Sequence, residues 1–179
     1  MTYNPGAIQK AIKAIVDQLK THQVSGGKLE SVKHILIGPH NLDSGGWNTP
    51  LIIIRNINFS SVQKTTASYF GQDKANIDIE FSIVAPKLMQ SDKVSVAENI
   101  LYDDAGNGAI PLFENFCYAM AFSHGGTSLA TFTPAIGLNL NSMPKPTGKT
   151  YYTDKFVEII SNVTIEYIYS YSEISGSTT

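Results

Sequence analysis

The chain has 179 residues, 42% hydrophobic and 16% charged, with a net charge of -2 and a single cysteine. Such a length fits one domain of about 100 to 200 residues, whose core needs no metal or disulfide staple. There is no basic excess to wrap a nucleic-acid backbone, Cys117 alone cannot form an intramolecular disulfide or a cysteine zinc cluster, and no apolar run reaches the roughly 20 residues that span a bilayer.

The first ten residues, MTYNPGAIQK, lack the charged lead and apolar run of a secretory signal, so a protein made and kept in a cytoplasm is expected. Asn4-Pro5 is a helix start signal, an N-cap residue followed by proline at the first helical position. Ile8, Ala11, Ile12, Ile15, Val16 and Leu19 then recur at helical spacing, with Gln9, Lys10, Lys13, Asp17, Gln18 and Lys20 opposite. The spacing predicts one amphipathic helix of about four turns that ends near Gly26-Gly27 and needs a sheet to lie on.

Val32 to Ile37 and Leu51 to Ile54 are short apolar runs that predict strands, the second entered through Pro50. The segment between them, PHNLDSGGWNT, is a loop by composition. Asn56 to Lys74 is polar and β-favouring, as in a hairpin arm. Ala75 to Ala85 alternates, with Ile77, Ile79, Phe81 and Ile83 on one side and Asp78, Glu80 and Ser82 on the other, which predicts a half-buried antiparallel strand.

A second helical region is predicted from about Ser91 to Phe122, broken between Asp103 and Pro111, with Leu112, Phe113, Phe116, Cys117 and Met120 on its second apolar face. Residues 123–155 carry frequent glycines and prolines and read as a long excursion from the core. The closing strand places Val157, Ile159, Val163, Ile165, Tyr167, Tyr169 and Tyr171 on one face and Glu158, Asn162, Thr164, Glu166 and Ser170 on the other. The expected fold is α+β: a small, mostly antiparallel sheet covered on one face by the N-terminal helix and the second helical region, with long projecting loops or hairpins. One domain spans residues 1–172, and residues 173–179 are a disordered tail.

Candidate chemistry is sparse. Gly148-Lys149-Thr150 ends like a phosphate-binding loop, but Met143 stands where the first glycine belongs, and the following tyrosines favour extended chain over the required helix. The stretch MPKPTGKTYY therefore reads as an exposed, mobile loop. Asp103 to Glu114 resembles a calcium loop in spacing, yet Ala105 offers no oxygen at the third position. The plainer reading makes Gly106-Asn107-Gly108 a turn and Glu114 a first-turn acid of the next helix.

Ser123 to Thr127, SHGGT, has no nucleophile motif to serve, and Ser61 to Lys64 fits S-x-x-K without its companion motifs. His22, His34, His40 and His124 lack metal-ligand spacing and read as surface or capping residues. Cys117 falls on an apolar helix face, as a small buried hydrophobe. No catalytic residue, cofactor or metal ligand is assigned. Trp47 either plugs the edge of the core or anchors a partner, and the closing tyrosines pose the same choice.

The helix AIQKAIKAIVDQLKTH, the strand runs LIIIRN and ANIDIEFSIVA, and the closing VEIISNVTIEYIYSYSE give an order of elements that resembles the tail terminator and neck proteins of long-tailed bacteriophages and related contractile particles. That resemblance implies a non-enzymatic virion subunit forming a ring, usually of six. The ring caps the tail tube, ends its polymerisation and docks the tail to the neck or head connector, and genome DNA meets it only in transit. Its partners would be copies of itself, the tube protein and the connector. The two polar segments, Asn56 to Lys74 and Ser123 to Lys155, would be its arms, and Trp47, Phe59, Tyr69, Phe70, Phe132, Tyr151 and Tyr152 the subunit or partner contacts. Other readings are a tube or head-completion subunit, a calcium-dependent binding module and, third, an enzyme.

Overall fold

The computed structural model describes residues 7–38, 42, 49–63, 72–86, 108–122, 125, 139–140, 145–152 and 156–170. The fold is α+β. Among the described residues, two helices, α1 (Ala7–Thr21) and α2 (Ala109–Ala121), accompany a mixed six-stranded sheet of β1 (His34–Ile37), β2 (Leu51–Gln63), β3 (Gln72–Pro86), β4 (Asn139–Leu140), β5 (Lys145–Tyr152) and β6 (Phe156–Ser170). The order across the sheet is β1-β2-β3-β6, with β4 and β5 sharing the outer edge of β6. Among the described strands only the β1–β2 pair is parallel.

The apolar stripe of α1 does what its period predicts: Ile15, Val16 and Leu19 are buried, while Lys13 and Asp17 pair one turn apart on the exposed side. The helix stops at Thr21, five residues before Gly26. Its last carbonyls are taken by turns, with His22 N donating to Leu19 O and Gln23 N to Lys20 O, both at 3.1 Å. Gly26 then adopts a φ of +78°, and Leu29 N returns to His22 O at 2.8 Å.

Strand β1 begins at His34 rather than Val32, because the Val32 amide is committed to a turn with Leu29 O at 2.9 Å and its side chain is buried in the core. Strand β2 runs well past Ile54, through the polar residues as far as Gln63, and forms the expected hairpin with β3 down to Gln63 opposite Lys74. Strand β3 pairs without a break with β6, from Pro86 opposite Phe156 to Gln72 opposite Ser170.

Helix α2 starts two residues before Pro111, with Gly108 in extended conformation at the N-cap. Pro111 is tolerated there because the first-turn N–H groups have no intrahelical acceptor. The first hydrogen bond of the helix runs from Leu112 N to Gly108 O at 3.0 Å. Glu114 consequently sits in the second turn, not the first, which corrects the dipole role expected of it.

The two faces of the sheet differ. One carries Ile52, Ile54, Ile77, Ile79, Phe81, Ile83, Val157, Ile159 and Val163 into a core shared with α1 and α2. Phe81 meets Phe116 of α2 at a ring-centroid distance of 4.9 Å. The opposite face holds a second, smaller core of Leu51, Ile53, Val84 and Phe156, against which Leu36 and Leu42 pack. Ser82 and Val84 are therefore fully buried, so β3 is covered on both faces at this end rather than half-buried throughout.

The main correction concerns the second excursion. Lys145–Tyr152 is not a loop but an edge strand laid on β6 of its own chain, and Asn139–Leu140 pairs further along the same edge. Prolines are acceptable in an edge strand, where an N–H is not required on the outer side. The expected first half of the second helical region, the interior of the excursion and the tail after Ser170 lie outside the described residues.

Candidate functional site

On the second face, beyond its small core, the sheet surface turns polar. Arg55 is the extra residue of a bulge in β2, between Ile54 opposite Phe81 and Asn56 opposite Glu80. Bulges re-aim side chains, and here Arg55 reaches over β3 to β6. Its Nη1 donates to Glu158 Oε1 at 2.9 Å, and Ser82 Oγ of β3 donates to the same oxygen. The Glu158 side chain is 10% exposed and that of Arg55 39%. This charge-assisted cluster ties three strands together across the sheet.

Further out, the same face continues as cross-strand rungs. Asn56 Nδ2 donates to Glu80 Oε1 at 3.0 Å, and Thr164 Oγ1 donates to Asp78 Oδ1 at 2.6 Å. Asn58 and Asn162 are exposed beside them. Side-chain rungs of this kind fix strand register where no apolar packing does.

A second polar cluster joins the helices. Gln18 Nε2 of α1 donates to Ala119 O at 3.1 Å and Phe122 O at 2.8 Å, and His22 Nε2 lies 2.9 Å from the same Phe122 oxygen. These contacts satisfy carbonyls that the end of α2 leaves without helical partners. The Tyr118 ring stacks on Phe122 at 4.8 Å, and Lys28 Nζ stands 5.2 Å above Tyr118. Of the surface or capping roles expected of the histidines, His22 is buried and takes the capping one at Phe122, the C-cap of α2, and His34 is exposed.

The phosphate-loop triplet falls within β5. Four steps from Pro146 to Thr150 answer two from Ser161 to Ile159, so Gly148 and Lys149 lie in a bulge, and a strand rather than a helix continues after them. Extended chain offers no row of N–H groups converging on an anion. Ser61 to Gln63 of the S-x-x-K match belong to β2. Cys117 packs against the main core, and burial, with Glu114 adding to it, pushes its thiol pKa up to about 11. Among the described residues no three His, Cys, Asp or Glu side chains come together as a metal site, and no helix is long and apolar enough to cross a membrane.

Of the expected contact residues, Tyr151 stands on β5 opposite Glu158 and is 42% exposed. Phe59 occupies the β2 position opposite Ile77, and Tyr152 the β5 position opposite Val157. Trp47, Tyr69, Phe70 and Phe132 lie outside the described residues, as do Asp103 to Asn107, His40 and His124. The Arg55–Ser82–Glu158 cluster was not anticipated. Its signal was present as one charge closing LIIIR and one inside VEII, but their partnership depends on the register of β3 between them. No family model matches the chain, and no curated protein matches it.

Proposed function

We propose that the chain is a structural subunit that works by assembling with copies of itself into a closed ring, in the manner of the phage tail terminator and neck proteins its order of elements resembles. In that role the ring caps a tail tube and presents a docking face to the connector. It sits in the tail–neck region of a virion, with DNA passing through only in transit. It performs no chemistry.

The observation that carries this reading is the length of β2, β3 and β6. Strands β2, β3 and β6 have 13, 15 and 15 residues, and their pairing continues to Gln63 opposite Lys74 and to Gln72 opposite Ser170. Strands of about five or six residues are usual in a globular domain, whereas long ones give a ring subunit backbone that neighbours can pair with. Only the first of the two expected arms supports this, since β5 of the second is paired within its own chain.

Size-exclusion chromatography combined with negative-stain electron microscopy of the purified protein tests the reading. Closed rings of uniform subunit number are expected. A monomer at every concentration, or an open tube, would overturn it.

A further inference from the structure

The outer run of these three strands has, among the described residues, two edges without a paired strand. Among the described residues, β1 covers the outer edge of β2 only from Leu51 to Ile54, where Gly38 N adds a bond to Ile54 O at 2.9 Å. No described strand follows along Asn56–Gln63. On the far side, β5 pairs with β6 between Val157 and Asn162, and β4 with Ile165 and Glu166. Among the described residues, Tyr167–Ser170 has β3 on one side alone. Each bare stretch presents a row of backbone N–H and C=O groups pointing outward.

Chains that stay solitary blunt such rows with charge, proline or bulges. This chain does so where it closes its own sheet: β5 carries Lys145, Pro146, Lys149 and a bulge. The bare stretches carry neither a charged residue nor a proline in Asn56–Gln63 or in Tyr167–Ser170. A register shift between Ser60 and Val62 limits the regular part on β2 to Asn56–Ser60, comparable in length to the stretch on β6.

We propose that Asn56–Ser60 of one copy pairs through its backbone with Tyr167–Ser170 of the next. This rests on the ring reading and names its interface. A second copy is the occupant because each molecule carries both edges on opposite sides of the same three strands. One repeated contact therefore leaves neither bare, whereas a foreign peptide would fill only one. Strands β2 and β6 are both antiparallel to β3 and hence run in the same sense. Rotation about an axis along the strands preserves that sense, so the new ladder is parallel.

Residue-resolved hydrogen exchange on the full chain, assembled and diluted to monomer, tests the pairing. Alternate amides of both stretches, those facing away from β3, are expected to exchange at least about tenfold more slowly in the assembly. Independently, in a Cys117→Ala background, Asn58→Cys is combined in turn with Tyr167→Cys, Ile168→Cys, Tyr169→Cys and Ser170→Cys and oxidised mildly. At least one combination is expected to give a ladder of covalent multimers on a denaturing gel. Rings with unprotected edge amides and no ladder would sink this interface and leave the ring standing. Protection confined to β2 would mean a two-fold β2–β2 contact and also overturns it. A monomer throughout removes both proposals.

Discussion

Arg55 and Glu158 form an ion pair between strands that do not touch. Their side chains meet at 2.9 Å over β3, the strand that separates them. Neighbouring strands lie about 4.8 Å apart, so the guanidinium spans roughly two such spacings, which its long stem allows once the bulge has turned it inward. With Ser82 donating to the same oxygen, the Glu158 carboxylate is held at the boundary between the small core and the polar face.

Loss of the cation leaves that carboxylate poorly solvated. The half-exposed Arg55 moderates the penalty, and Arg55→Met is expected to destabilise by about 1–3 kcal/mol. Glu158→Gln is expected to cost less, because its amide oxygen still accepts from Ser82. Urea unfolding of both single variants and the double variant forms a cycle, and a coupling near zero would show that the pair contributes no mutual stabilisation.

The end of α2 depends on α1 in the same direct way. Gln18 Nε2 donates to two carbonyls there, Ala119 O and Phe122 O. Gln18→Leu keeps the helix former and removes both donors, with an expected cost of about 1–3 kcal/mol and an unchanged denaturant slope. The Phe122 amide, bonded to Tyr118 O at 2.9 Å, is expected to exchange faster in the variant. Unaltered stability and exchange would mean that water replaces the glutamine without penalty.

Much of this architecture is legible in the sequence where one face is apolar. The stripe Ile15, Val16, Leu19 and the alternation Ile77, Ile79, Phe81, Ile83 announce their elements because periodicity reports burial. Strand β5 is not legible, since PKPTGKT has every local mark of a loop and becomes a strand only because β6 offers it an edge. The small core escapes for a related reason. Val84 and Leu51 lie beside Ser82 and Arg55 in a face that alternation marks as polar, and only the register brings Phe156 over them. Backbone competition explains the shifted ends: Val32 looks like strand but spends its amide on a turn.

The turn after α1 separates two kinds of glycine. A Cβ at Gly27 would lie 2.3 Å from His22 O, a backbone atom that cannot swing aside. At Gly26 the space is open, and only the φ of +78° resists a side chain. Gly27→Ala is therefore expected to cost about 1–3 kcal/mol through overlap, and Gly26→Ala about 1–2 kcal/mol through backbone conformation alone. Thermal melts should rank Gly27→Ala as the less stable of the two, and the reverse order would show that the turn relaxes around the added methyl.

Cys117 supplies a pH dependence whose sign is fixed by burial. Desolvation, reinforced by Glu114, raises its thiol from 9.0 to about 11, so the folded protein holds the proton more tightly than the unfolded chain. The stabilisation is complete below pH 9, declines as pH rises through 11, and is absent well above that. Because the thiolate is the nucleophile, the two-unit rise lowers its fraction at pH 8 by about a hundredfold. Alkylation by iodoacetamide at pH 8 is expected to be slower than that of the urea-unfolded chain by at least that factor, access to the half-buried sulfur slowing it further. Equal rates in the two states would place the sulfur in open solvent and remove it from the edge of the core.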